Sequence, residues 1–215
     1  MRESAVIFDF NGTLFWDSKY QELSWLDYLE KHNIDLSQEE INLYIHGRNA
    51  KDTFEYIFKK EFSGEEIMQL VEEKEILYRA ECSKHSIKLA PGAVDLLEYL
   101  TNNKIPTAIA TASGKTNVDF FIEKFQLLKY FDRKHIIYDD GNIRGKPDPD
   151  LFLKAINILS VNPQDTTIFE DSVSGIEAAK KCKVKNVVLV NSMNDKIDNE
   201  LVTIKNFYEF NRELL

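Results

Sequence analysis

The sequence predicts an α/β protein, a doubly wound parallel sheet with a helical domain inserted after the first strand. Three observations carry that prediction. The apolar run Val6-Ile7-Phe8 ends in Asp9-Phe10-Asn11-Gly12-Thr13-Leu14, the pattern of a buried strand that delivers a carboxylate to its own C-terminal edge. Residues 17 to about 87 show helical periodicity and no convincing strand. From Pro91-Gly92 onward, short apolar strands alternate with helical stretches, which implies right-handed crossovers and a parallel sheet. The expected division is a core of residues 1–16 and 88–215 and a helical domain of residues 17–87.

The elements follow in order. Ser18-Lys19-Tyr20-Gln21 fits a capping box, and Leu23, Trp25, Leu26 and Leu29 supply an apolar face at helical spacing. Ser37-Gln38-Glu39-Glu40 and Ser63-Gly64-Glu65-Glu66 repeat the signature and open helices around 38–46 and 64–80, while Asn49 caps a helix at about 50–61. The second half then reads as helix 92–102, strand 105–110, helix 115–125, strand 136–138, helix 149–159, strand 167–169, helix 174–181 and strand 187–190. Asp139-Asp140-Gly141-Asn142 is a tight turn, and Asn206 to Leu215 a final amphipathic helix.

Bulk properties narrow the function classes. The 215 residues carry a formal charge of −9, with no basic stripe for a nucleic acid backbone and a net repulsion from anionic membranes. No segment approaches the roughly 18 apolar residues of a membrane span, and no signal-like apolar run opens the chain. The two cysteines, Cys82 and Cys182, lack metal-site or redox spacing and read as free thiols of a reducing cytoplasm. An acidic protein of this kind that handles anionic substrates has to gather positive charge locally, from a metal ion or a few lysines.

Four clusters carry candidate chemistry. Asp9 is either a turn cap or a reactive carboxylate at a ligand edge. Thr111-Ala112-Ser113-Gly114 ends a strand with hydroxyls, suited to a phosphate oxygen or to plain helix capping. Gly145-Lys146-Pro147-Asp148-Pro149 restricts a lysine from both sides, making it a placed charge rather than a solvated one. Phe169-Glu170-Asp171-Ser172 sets two adjacent acids at the end of an apolar strand. With Asp9 they repel one another unless a cation lies between them, and a hard divalent ion with oxygen ligands, Mg²⁺ most naturally, resolves that repulsion. The alternative makes Asp171 a helix cap and leaves Glu170 exposed.

Asp9-x-x-Gly12-Thr13-Leu14, Thr111-x-Ser113, Gly145-Lys146-Pro147-Asp148-Pro149 and Glu170-Asp171-x-x-x-Gly175-x-x-Ala178-Ala179 resemble, in order and approximate spacing, the four motifs of the haloacid dehalogenase superfamily. The helical insert resembles the cap of the subfamily that contains β-phosphoglucomutase and phosphoglycolate phosphatase. The resemblance implies a Mg²⁺-dependent hydrolase acting on a small phosphorylated metabolite, as a monomer or weak homodimer. It makes Asp9 the nucleophile that forms an aspartyl-phosphate, with Mg²⁺ held by Asp9, Asp171 and the backbone carbonyl of Asn11 and with Glu170 in reach. Lys146 and Thr111 then face the phosphoryl oxygens, helped by Ser113 and the N–H groups of Gly12 and Thr13, and Gly47 and Arg48 lie in the cap's substrate loop.

One position departs from the pattern. These phosphatases and mutases usually carry a second Asp two residues after the nucleophile as general acid and base, and this chain has Asn11. A carboxamide exchanges no proton near neutral pH, and loss of such a group costs about 10²–10⁴ in rate. The resemblance therefore admits a leaving group that needs no proton, an acid from the cap such as Glu22, or phosphonatase-like chemistry with Lys51 as Schiff base. A β-phosphoglucomutase-like transfer lacks its usual cap partners, since Gln21 or Glu22 and Ala50 occupy those places. A phosphometabolite-binding protein without turnover is the remaining alternative.

Overall fold

The computed structural model describes residues 4–45, 50–194, 197 and 200–215. The chain separates into two compact units, Met1–Asp17 with Lys88–Leu215, and Ser18–Ile87. Asp17, assigned to the insert on the sequence, belongs to the first unit.

The core unit is a six-stranded parallel sheet of order β3-β2-β1-β4-β5-β6, formed by β1 (Ala5–Phe8), β2 (Thr107–Gly114), β3 (Ile136–Asp139), β4 (Thr166–Glu170), β5 (Asn186–Val190) and β6 (Val202–Ile204). Helices α5 (Ala93–Asn102), α6 (Lys115–Phe125), α7 (Asp150–Leu159) and α8 (Val173–Lys181) connect the strands. Strand β1 is buried over its whole length, which is why it reads as an unbroken apolar run. On one face Ile7, Ala108, Ile137 and Ile168 pack against Leu151, Phe152, Ala178 and Ala179. On the other, the Phe8 ring stacks on Phe169 with centroids 5.0 Å apart, and Phe207 and Phe210 close over Phe169. A buried ring of this kind is worth about 3–5 kcal/mol against truncation to alanine.

The register fixes the level of the chemistry. Phe8 pairs with Ile109 of β2 and Phe169 of β4, so the next residues, Asp9, Ala110 and Glu170, arrive side by side at the carboxyl end of the sheet. The strand order reverses direction between β1 and β4, the crevice where ligands bind in open α/β sheets.

The helical unit contains α1 (Ser18–Lys31), α2 (Gln38–Tyr44), α3 (Ala50–Phe58) and α4 (Gly64–Ser83), with no strand among its described residues. Ser37 and Ser63 make complete capping boxes with Glu40 and Glu66. Ser18 is the first residue of α1 rather than its cap, and α1 buries Ser24, Tyr28 and Leu29 while Leu26 is exposed. The apolar spacing placed the face in part: Leu29 and Trp25 join a cluster with Tyr28, Ile41, Phe54 and Ile57, whereas Leu26 does not.

Three further expectations change. Strand β2 continues through Thr111, Ala112 and Ser113 to Gly114, so the hydroxyl cluster is extended backbone and Gly114 caps α6. Beyond the buried Thr111 its residues are exposed or half-buried and have no apolar signature to read, and this end is held by a shifted register with Asp139 of β3. The last ten residues form two 3₁₀ turns, Phe207–Glu209 and Arg212–Leu214, in place of an amphipathic helix. Asn206 and Asn211 each accept a backbone N–H two residues on, which restarts the chain locally, and Phe207 and Phe210 are buried at 3₁₀ spacing. Strand β6, not expected from the sequence, is a three-residue edge strand with Ile204 alone buried.

Candidate functional site

Strand β1 ends at Phe8, and the Asp9 N–H donates to the Phe169 carbonyl at 2.9 Å, so the Asp9 carboxylate is fixed by the sheet itself and is 5% exposed. Opposite it, β4 delivers Glu170, which is 1% exposed. One Glu170 oxygen accepts from Ser172 N at 3.0 Å and Ser172 Oγ at 2.7 Å, and the other from Lys146 Nζ at 2.7 Å. Ser172, not Asp171, caps α8, so the exposed-acid alternative for this pair falls away. Asp171 accepts from the Thr13 hydroxyl at 2.9 Å.

Two glycines make this packing possible. Gly12 has φ +81°, and a Cβ there would lie 2.1 Å from an Asp171 oxygen. A Cβ on Gly175 would lie 2.0 Å from the Glu170 carboxyl carbon. Each side chain sits where a larger neighbour would stand, which no local propensity rule demands.

Lys146 reaches the same point from the loop before α7. Its ammonium lies 2.5 Å from Asp9 Oδ1 and bridges to Glu170. The loop is splinted from outside: Arg144 pairs with Asp148 and Asp150, and Lys181 Nζ donates to the Pro147 carbonyl at 2.7 Å. Burial pulls the Lys146 ammonium down, but Asp9 and Glu170 outweigh it and hold the group above the usual lysine range. Asp9 is raised well above the usual carboxylate range by burial and by Glu170, against the pull of Lys146. Asp171 is pushed up to about 7 by burial and then by Glu170.

Asp9, Glu170 and Asp171 each offer an oxygen, and these oxygens lie within 4.8 Å of one another. Three carboxylates against one ammonium leave the buried cluster short of positive charge when all are ionised, and its donors are hard oxygens throughout. That set fits a divalent cation of the Mg²⁺ type.

The other expected residues are distributed as follows. Thr111 is buried on β2, its hydroxyl accepting from Ser113 N at 3.1 Å. Ser113 Oγ donates to Asn11 Oδ1 at 2.8 Å. The Gly12 N–H, expected to face phosphate, is taken up inside the loop, donating to the Phe15 carbonyl at 2.7 Å and to Asp17 at 3.1 Å. The cause is the tight turn through Phe10–Phe15, anchored by Phe15 on Phe121 and Phe125. Gly47 and Arg48 lie outside the described residues, as does His46. Lys51 is 63% exposed and pairs with Glu55, far from the desolvated environment that a Schiff-base lysine needs.

Two residues were missed on the sequence. Asp17 is a buried acid beside Asn11. Lys74, inside the helical unit, is 4% exposed, bonds Gln21 and Glu75, and lies about equally far from the Trp25 and Tyr78 rings. A charged residue in a helix gives no sign of burial unless its partners are known.

Residues 6–189 match the family model of haloacid dehalogenase-like hydrolases. The chain belongs to that family. A haloacid dehalogenase hydrolase of family IA, variant 3, from Entamoeba histolytica is 37% identical, with 98% of this chain and 96% of that one covered and a TM-score of 0.90. A phosphorylated carbohydrates phosphatase of Thermotoga maritima is 29% identical over 89% of this chain and 87% of its own. A β-phosphoglucomutase of Bacillus subtilis is 31% identical over 82% of this chain and 78% of its own. The protein is thus an enzyme, a phosphatase or hydrolase of the haloacid dehalogenase-like family. Among the described residues no helix is long and apolar enough to cross a membrane.

Proposed function

We propose that this chain is a Mg²⁺-dependent phosphatase of small phosphorylated sugars that works through an aspartyl-phosphate on Asp9. The observation that carries the reading is the convergence of Asp9, Lys146, Glu170 and Asp171, drawn from three separate loops, at the carboxyl ends of β1 and β4. A structural ion pair needs one acid and one base; this cluster has three acids, and a divalent cation completes it. The sugar-phosphate class rests on the likeness to the Thermotoga and Bacillus enzymes. The two buried free thiols suit a cytoplasmic setting.

Asp9 and Asp171, with the Asn11 carbonyl, would hold Mg²⁺, which supplies charge neutralisation at the phosphoryl oxygens. One Asp9 oxygen attacks phosphorus as the bond to the leaving oxygen breaks, and water then cleaves the acyl phosphate to return the carboxylate. Lys146 steadies the charge on the transferring group from one side, and the Thr111 hydroxyl from the other. Glu170, with both oxygens already engaged, anchors Lys146. Asn11 supplies no proton, so departure of the leaving oxygen depends on its own basicity or on solvent.

The test is phosphate release from a panel of hexose and hexitol phosphates, with acetyl phosphate as an activated substrate, with and without Mg²⁺. Asp9→Ala abolishes release and chelation suppresses it. Release that survives Asp9→Ala would falsify the reading.

A further inference from the structure

Asn11 is held at both ends of its side chain. Its Nδ2 donates to Asp17 Oδ2 at 2.8 Å, and its Oδ1 accepts from Ser113 Oγ at 2.8 Å. Asp17 is 3% exposed, and its other oxygen accepts the Gly12 N–H at 3.1 Å. It is also the last residue of the core unit, directly before α1.

We infer that Asp17 is a positioning residue of this site, the group that requires a carboxamide two places after Asp9 and fixes which way it faces. The inference rests on the reading of Asp9 as the reacting carboxylate. A hydroxyl such as Ser113 donates or accepts, so by itself it tolerates either end of an amide, or a carboxylate. Asp17 accepts only. It breaks that degeneracy, and leaves the amide one orientation in which both contacts join a donor to an acceptor. The departure from the family pattern at position 11 is then half of a matched pair, and its partner lies six residues along the chain.

The pairing has a consequence that neither residue alone would have. In N11D, two carboxyl groups meet across the 2.8 Å contact, and their repulsion has to be relieved by separation or by taking up a proton. In D17N, either setting of the new amide brings its N–H₂ group against a donor, Asn11 Nδ2 in one and the Gly12 N–H in the other. The exchanged variant N11D/D17N restores all three bonds: the Ser113 hydroxyl donates to an oxygen at position 11, the amide at position 17 donates across the same contact, and its carbonyl accepts Gly12 N–H. It also places a proton-exchanging group beside Asp9 in a defined orientation.

The experiment compares wild type, N11D, D17N and N11D/D17N in thermal melts and in steady-state turnover of acetyl phosphate and glucose 6-phosphate with Mg²⁺. D17N lowers kcat for acetyl phosphate about 10- to 100-fold, the scale of a lost orienting partner, with KM little changed. Both single variants melt below wild type, and the exchanged pair returns towards it. Its turnover of glucose 6-phosphate exceeds wild type by about 10²–10⁴, the usual worth of a general acid and base. The inference is overturned if D17N melts and turns over as wild type does, or if the exchanged pair melts as low as the two losses added together. Wild-type protein that releases phosphate from neither compound sinks the phosphatase reading instead, and the melting cycle still decides the pairing.

Discussion

Lys146 Nζ lies 2.5 Å from Asp9 Oδ1, in a cluster where the lysine side chain is 9% exposed and the aspartate side chain 7%. The lysine therefore serves the fold, and under the proposed function the chemistry as well. It opposes in part the burial that pushes Asp9 towards holding a proton, and it ties the loop before α7 to the end of β1.

Lys146→Met separates those two duties. Removing one partner from a buried ion pair leaves an uncompensated charge and costs about 3–5 kcal/mol, whereas an exposed pair costs less than about 1. Urea unfolding without metal should show the larger loss, and saturating Mg²⁺ should recover part of it by supplying charge to the same carboxylates. Phosphate release should stay lower by about 10²–10³, because Mg²⁺ does not replace a donor aimed at the phosphoryl oxygens. A variant as stable as wild type without metal would show that Lys146 is not buried against Asp9 in solution.

The two raised carboxylates set a pH dependence. Asp9 and Asp171 hold protons in the folded chain at pH values where the unfolded chain has released them, with Asp171 pushed up to about 7. Raising the pH from about 4 through 7 therefore destabilises the metal-free protein at these two positions. A divalent cation binds the deprotonated carboxylates, so it opposes that loss, and its own binding strengthens over the same window. Mg²⁺ at about 100 times its dissociation constant contributes roughly 2.7 kcal/mol, which is about 5–10 °C for a chain of this size. Melting curves at pH 8 should show this increment, and curves at pH 5.5 a clearly smaller one. An increment independent of pH, or larger at pH 5.5, would mean that these carboxylates do not hold the metal.

The fold was legible because its strands are short, apolar and each followed by a turn, so that β1, β4 and β5 stand out from the helices between them. The site was legible as far as chemistry shows in single residues: Asp9, Lys146, Glu170 and Asp171 meet. What stayed hidden depends on distance. The setting of Asp17 depends on Asn11 and Gly12 and that of Lys74 on Gln21, 53 positions away, and the Gly12 N–H is consumed by a turn whose closure depends on Phe15 packing. The outer half of β2 and the 3₁₀ turns of the C-terminus are held by hydrogen bonds in segments whose apolar spacing is not regular.

Gly175→Ala opposes two effects of known size. Within α8 an alanine is favoured over glycine by about 0.5–1 kcal/mol, so an open site should be stabilised. At this site the new methyl would meet the Glu170 carboxyl carbon at 2.0 Å and its Oε1 at 2.2 Å, and the buried carboxylate has to move. Movement breaks hydrogen bonds to Ser172 and Lys146, each worth about 1.5–3 kcal/mol because a charge is involved, so the loss exceeds the helical gain. The variant should melt lower by roughly 4–20 °C and lose phosphate release as Lys146 loses its anchor. Gly64→Ala, at the open first turn of α4 where nothing lies within 4 Å, supplies the control and should be neutral or slightly stabilising. A Gly175→Ala protein as stable and active as that control would mean that Glu170 does not occupy the space beside Gly175, and with it the seat of Lys146 would be lost.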